Sequence, residues 1–197
     1  MRIDIIIPSC KTLSLLAAQL YAVRTNTRTE HSIITTCLDA CASKNRNVGL
    51  EKAESNLIIM MDDDVIGFHP GWEEELIAIM QDSEVVMASP RLITPAGAPG
   101  LMLGHPPPLT NGERWAVPDR ELPTACIIIR KNELRFDENF IGSGWEDTDY
   151  CAQLRQKHPQ GKFIVTGKTR ITHKNEMKNQ AGEIFEKNKA YFFSKWG

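Results

Sequence analysis

Leu57-Ile58-Ile59-Met60-Met61-Asp62-Asp63-Asp64 sets the architecture of this chain. Five apolar residues without polar alternation read as a strand buried on both faces. That strand delivers three carboxylates to its C-terminal end, the edge where open α/β sheets bind ligands. In extended chain, residues i and i+2 point the same way. Asp62 and Asp64 therefore share a side, and Asp63 faces away. Two carboxylates this close repel, and one would tend to hold a proton. A divalent cation removes the conflict, and oxygen ligands favour Mg²⁺ or Mn²⁺ over zinc. The competing reading is an acidic turn that caps the next helix.

Outward from this segment the chain alternates strands and helices. Residues 3–7 read as a strand ended by Pro8-Ser9. Leu13, Leu16, Ala17, Leu20 and Val23 follow at helical spacing. Residues 32–36 read as a strand, and 43–54 as a helix with Ser43 as its cap. After the aspartates come a helix over 72–80 with an acidic first turn and a strand over 85–88. Alternation of this kind means an α/β sheet with parallel strands. Residues 90–123 are rich in Gly and Pro and read as a substrate-facing loop or a plain surface excursion. Beyond them, 124–130 reads as a strand, 145–158 as a helix, and 163–166 and 170–172 as short strands. A last helix over 180–196 is expected to pack on the sheet.

The 197 residues suit one domain, 1–197, with a nucleotide-binding half over 1–89 and an acceptor-side half over 90–197. Apolar residues make up 42% and charged residues 24%, which excludes a disordered tail or a fibrous rod. A net charge of −2 excludes a general polybasic surface for nucleic acid. The five cysteines are odd in number and widely spread, so reduced thiols in a cytoplasmic protein are expected. No apolar run reaches the ~18–20 residues of a membrane span.

Three further segments carry candidate chemistry. Phe136-Asp137-Glu138 through Gly142-Ser143-Gly144-Trp145-Glu146-Asp147-Thr148-Asp149 is a glycine-flexed loop that opens a helix. One of its carboxylates could be a general base. Equally, Ser143 and Glu146 have the spacing of a capping box. His173 follows a short strand, where it is either structural or a ligand. Ser43-Lys44-Asn45-Arg46 places two cations at a helix start, either a phosphate-binding end or a solvated one.

Together these segments resemble the GT-A glycosyltransferases, most of all the inverting family 2 type, over roughly residues 1–176. Ile5-Ile6-Ile7-Pro8-Ser9 is similar to the first nucleotide-binding strand of that family. Arg46-Asn47-Val48-Gly49 is similar to its R-N-x-G segment, and Asp62-Asp63-Asp64 to its D-x-D motif. Phe136-Asp137-Glu138 with Gly144-Trp145-Glu146-Asp147 is similar to its F-D-E…G-x-E-D acceptor motif.

The resemblance implies a single-domain, Rossmann-like, mixed and mainly parallel sheet flanked by helices. It implies a metal-dependent inverting enzyme that moves a sugar from a nucleotide-diphosphate sugar, UDP-linked in the first instance, to an acceptor hydroxyl. Asp147 would be the base, and Glu146 would hold an acceptor or sugar hydroxyl. Pro8, Ser9, Lys44, Arg46, Asp62, Asp63 and Trp145 would bind the nucleotide sugar. Asp62, Asp64 and His173 would hold Mn²⁺ or Mg²⁺. The acceptor could be a glycan, a lipid carrier, a protein or a modified nucleic-acid base. The link from Thr36 to Ser43 is shorter than in the family, where an aspartate after the second strand reads the base; this is a departure from the family pattern, and Asp39 is a poor substitute for that residue. A nucleotidyltransferase or phosphohydrolase is the alternative; it would need a second metal, with Asp147 and Asp149 as ligands.

Overall fold

The computed structural model describes residues 1–38, 41–100, 112–174 and 182–197; Asp39 and the run Pro106-Pro107-Pro108 lie outside them. The first half comprises β1 (Arg2–Pro8), α1 (Leu13–Asn26), β2 (Glu30–Thr36), α2 (Ala42–Lys52) and β3 (Leu57–Met61), then β4 (Val65–Ile66), α3 (Glu74–Ile79) and β5 (Val85–Ile93). The second half adds β6 (Arg114–Ala116), β7 (Cys126–Arg130), α4 (Glu146–Lys157), β8 (Lys162–His173) and α5 (Glu183–Trp196).

All eight strands join one sheet, ordered β2-β1-β3-β7-β5-β8-β4, with β6 on β8. The strands β1, β2, β3, β5 and β8 run one way, and β4, β6 and β7 run against them. The sheet is thus mixed rather than wholly parallel.

Side-chain alternation divides the interior in two. Ile3, Ile5, Ile7, Leu57, Ile59 and Met61 face one core with α1 and α3, through Leu16, Val23, Leu76 and Ile77. Ile6, Ile58, Met60, Ile127 and Ile129 face the other with α2 and α4, through Leu50, Tyr150 and Leu154. Each buried aliphatic side chain contributes about 1.5–3 kcal/mol, so the central strands need no alternating polar face. Asp4, the one buried charge within β1, accepts the N–H groups of Glu54 and Ser55 at 2.6 and 2.7 Å, which fixes the turn into β3.

Four expectations are corrected. The cap of α2 is Cys41, whose Sγ accepts the Lys44 N–H at 3.2 Å; the chain enters the helix two residues early and Ser43 is buried inside its first turn. Residues 162–173 form one strand, not two, held by β5 along its length. The 90–123 stretch is partly sheet, since β5 runs on to Ile93 and β6 pairs with β8. Finally, α5 packs away from the sheet, on a third cluster of Phe140, Ala152 and Phe192 flanked by Trp145, Tyr191 and Trp196.

Candidate active site

β3 ends at the aspartate triplet, and the main chain holds the turn in place. Asp62 donates its N–H to Ala125 O at 2.9 Å, and its carbonyl accepts from Gln19 Nε2 at 2.8 Å. The short strand β4 then pairs with the end of β8, setting Val65 opposite His173. That register carries the imidazole to the aspartates. His173 Nε2 lies 3.2 Å from Asp64 Oδ1 and 3.9 Å from Asp62 Oδ2. Ligand atoms from the three residues lie within 4.8 Å of one another. Ligands at ~2.1 Å from an octahedral ion stand about 3.0 Å apart when adjacent and about 4.2 Å when opposite. Two carboxylates and one imidazole at this spacing therefore fit a hard divalent cation. Burial works to lower the His173 pKa, but the Asp64 hydrogen bond and the charges of Asp64 and Asp62 outweigh it and raise it.

Asp63 points the other way, but from a turn rather than from extended strand, since β3 ends at Met61. It accepts Ser9 Oγ–H at 2.6 Å and pairs with Lys11 Nζ at 3.2 Å. Lys11 carried no sequence signal, because a lysine just past a strand is ordinary.

Arg46, on α2, joins the two acidic segments. Its Nη2 lies 3.0 Å from Asp62 Oδ1 and its Nη1 2.8 Å from Glu146 Oε1. The guanidinium is buried and lies 5.2 Å from the centre of the Phe136 ring. Burial disfavours its charge, yet Asp62 and Glu146 together hold its pKa above the ordinary value. Glu146 also accepts the Gly144 N–H, so the capping box drawn from Ser143 is not what starts α4. The cap position is Trp145, with left-handed backbone (φ 74°) and no side-chain cap bond. Asp147 follows, half-buried. Burial first, and the Glu146 charge second, push its pKa up to about 7 against the pull of Arg46.

A cavity of about 380 Å³ opens here, lined by Pro8, Ser9, Cys10, Cys41, Ala42, Asn45, Arg46, Asp62, Asp63, Gly142 and Ser143; Asp64, Glu146, Asp147 and His173 stand behind or beside that lining rather than in it. Lys44 is exposed on the first turn of α2 and does not line it. Trp145 stands aside from it too, its ring 5.2–5.8 Å from those of Phe185, Phe192 and Phe193. Asp149 is fully buried; it accepts from Trp196 Nε1 and Gln153 Nε2 at 2.7 Å and pairs with Lys195 at 2.8 Å.

No protein-family model matches the chain, and no curated protein sequence does. Solved structures do. A crystal structure of GalNAc-T7 with UDP, GalNAc and Mn²⁺ superposes with a TM-score of 0.66 at 11% identity. The match covers 99% of this chain but 51% of GalNAc-T7, so this chain spans about half of that protein's length. Glucosyl-3-phosphoglycerate synthase from Mycobacterium tuberculosis, in complex with Mn²⁺, UDP-glucose and phosphoglyceric acid, gives 0.67 at 10% identity, over 98% of this chain and 79% of that one. This chain has the GT-A fold. A197 from STIV is also similar, with a TM-score of 0.55, 12% identity and coverage of 85% and 83%.

Within the GT-A fold of this chain, two residues quoted from sequence have structural reasons to be what they are. A Cβ at Gly49 would lie 2.3 Å from Ile6 Cγ2, so only glycine lets α2 approach β1 this closely. Asn47 donates to Phe136 O and accepts Phe136 N–H, both at 2.9 Å, and so ties α2 to the F-D-E segment. Asn45 went unrecognised. Its amide bonds Leu38 N at 2.6 Å, Leu38 O at 3.1 Å and Cys41 O at 3.2 Å, which holds the cavity wall together. An asparagine inside a helix gives no sign of that role in sequence.

Proposed function

We propose that this chain is a divalent-metal-dependent glycosyltransferase that moves a sugar from a UDP-sugar to an acceptor hydroxyl with inversion. The observation that carries the reading is the convergence of Asp62, Asp64 and His173 on one point, joined through Arg46 to Glu146 beside Asp147. The Mn²⁺ and UDP-sugars held by GalNAc-T7 and the mycobacterial synthase support the choice of donor and metal. Residues 1–89 form the donor half in this reading, and 90–197 the acceptor half.

Asp62, Asp64 and His173 would hold Mn²⁺ or Mg²⁺, which when bound offsets negative charge gathering on the departing diphosphate. Pro8 and Ser9 wall the nucleotide, and Asp63 keeps Ser9 and Lys11 in place behind it. Asp147 removes the proton from the acceptor hydroxyl. That oxygen bonds to the anomeric carbon as the carbon–oxygen bond to the diphosphate breaks, so the new bond forms on the opposite face. A carboxyl group with a pKa of about 7 is matched to this work near neutral pH. Glu146 anchors Arg46 and keeps lone pairs for a hydroxyl of the sugar or the acceptor. Trp145 stiffens the acceptor side.

A nucleotidyltransferase or phosphohydrolase would need Asp149 or a similar group at a second ion. Asp149 is instead committed to Trp196, Lys195 and Gln153, which favours sugar transfer. Product analysis tests the choice. With UDP-sugars and Mn²⁺, intact UDP is the expected product. Release of UMP or inorganic phosphate as the first product would overturn the reading. No described helix is long and apolar enough to cross a membrane.

A further inference from the structure

The last helix has no residue in the cavity wall, yet its side chains reach the acceptor-side loop at nearly every turn. Tyr191 OH donates to Asp137 Oδ2 at 2.9 Å, and Lys195 pairs with Asp137 at 2.7 Å and Asp149 at 2.8 Å. Phe185, Phe192 and Phe193 surround the Trp145 ring. A Cβ at Gly144 would touch the Phe185 ring at 3.0 Å, so helix and turn are in close contact.

The centre of this contact is Asn188, buried on the inner face of α5. Its Oδ1 accepts Ile141 N–H at 3.0 Å, and its Nδ2 donates to Ile141 O and Gly144 O, each at 2.9 Å. One amide side chain thus grips both ends of the turn, using its acceptor and both donors. Only an amide offers that set at this size. The turn it grips is irregular, with Gly142 at φ 66°, Gly144 at 103° and Trp145 at 74°. A tryptophan rarely adopts such backbone unless its surroundings impose it. The next two residues are Glu146, bonded to Arg46, and Asp147.

We propose that Asn188 is the positioning residue of this turn: it fixes residues 141–144, so that Trp145 launches α4 with Glu146 on Arg46 and Asp147 next to them. Its catalytic meaning rests on the transferase reading; its structural content does not. Asn188 acts through the turn and touches no reacting atom.

The experiment compares Asn188→Asp and Asn188→Ala with the wild-type chain. Asn188→Asp keeps the shape but loses both donors. Leu16→Ala serves as a control that lowers stability in a different core. Hydrogen exchange is followed by mass spectrometry, binding by calorimetry with Mn²⁺ and UDP, and turnover by UDP release from UDP-glucose and UDP-GalNAc. In both Asn188 variants, amides 141–148 should exchange at least tenfold faster while β1 and β3 stay protected. Metal-dependent UDP affinity should fall by less than turnover does, since Gly142 and Ser143 of this turn line the cavity. Turnover should fall at least tenfold, by more than donor KM rises, and the pH–rate profile should move. Exchange over 141–148 that equals wild type, or rises no more than in Leu16→Ala at matched Tm, would overturn the proposal. Exchange alone decides the positioning, so a wild-type chain that turns over no UDP-sugar would sink the transferase reading and leave this result intact.

Discussion

Arg46 faces carboxylates on two sides, and neither contact is replaceable by a simpler cation. Its planar fork meets Asp62 and Glu146 through separate nitrogens, which a lysine's single ammonium does not reproduce. Arg46→Met leaves Glu146 buried without its countercharge. The cost expected for breaking such a pair is about 3–5 kcal/mol, or a fall in Tm of roughly 10 °C in a chain this size, measured by calorimetric melting. The chemistry at Asp147 is testable in the same way. Asp147→Asn should cut transfer by about 10²–10⁴-fold, while UDP binding with Mn²⁺ stays within twofold. The pH dependence has a definite sign. A carboxyl whose pKa is raised to about 7 gives up its proton only as pH passes that value. The wild-type rate should therefore climb from pH 6 to 8, and a flat profile over that range would remove Asp147 from the role. Legibility at this scale was uneven. Asp62 and Asp64 stood out because paired carboxylates follow a buried apolar strand; Arg46 read equally well as a solvated helix end, and the part given to Asp147 came only from the resemblance to the GT-A glycosyltransferases. Lys11, Asn45 and Asn188 did not stand out, because their partners are set by packing between distant segments.

Among the elements, α2 and α5 show what periodicity carries and what it omits. Gly49 looks like a flaw in a helix, where Ala is better by about 1 kcal/mol. Yet the Cβ of Gly49→Ala would meet Ile6 at 2.3 Å, and overpacking of this kind costs about 1–3 kcal/mol. The clash wins, so Gly49→Ala should lower Tm and shift α2 with Arg46 on it. An unchanged Tm in a melting scan would show that the gap between α2 and β1 is looser than the structure has it. At α5 the apolar spacing correctly implied a packed helix but not its surface. The sheet was the obvious partner; the loop before α4 and the first turn of α4 are the real ones, because Asp137 and Asp149 match Lys195 and Trp196. Burial alone would raise the Asp137 pKa, but hydrogen bonds from Lys195, the Asn139 amide and Tyr191 lower it to about 2, against 3.8 ordinarily. A depressed carboxyl pKa stabilises the fold above the ordinary value and loses that contribution as pH falls toward the depressed one. Tryptophan emission, to which Trp145 and Trp196 contribute beside Trp72 and Trp115, should therefore change between pH 4 and 2, and less so in Asp137→Asn.

Across the whole molecule, the fold was legible because five strands carry apolar runs that admit one buried placement each. Strand direction was not. The reversal of β7 between β3 and β5, and the pairing of β4 and β6 with β8, follow from loop paths that local propensity does not encode. That topology matters to the site, since only the β4–β8 pairing brings His173, 109 positions after Asp64, to the aspartates. A ligand that binds only the native state raises stability by mass action, about 2.7 kcal/mol at 100 times its Kd. The decisive measurement is therefore a melting series with saturating UDP, with and without Mn²⁺, on wild type, Asp64→Asn and His173→Ala. A rise in Tm that needs both UDP and Mn²⁺, and that vanishes in each variant, is the expected result. A UDP-induced rise that is indifferent to metal, or that survives in Asp64→Asn and His173→Ala, would contradict the shared ion at the end of β3.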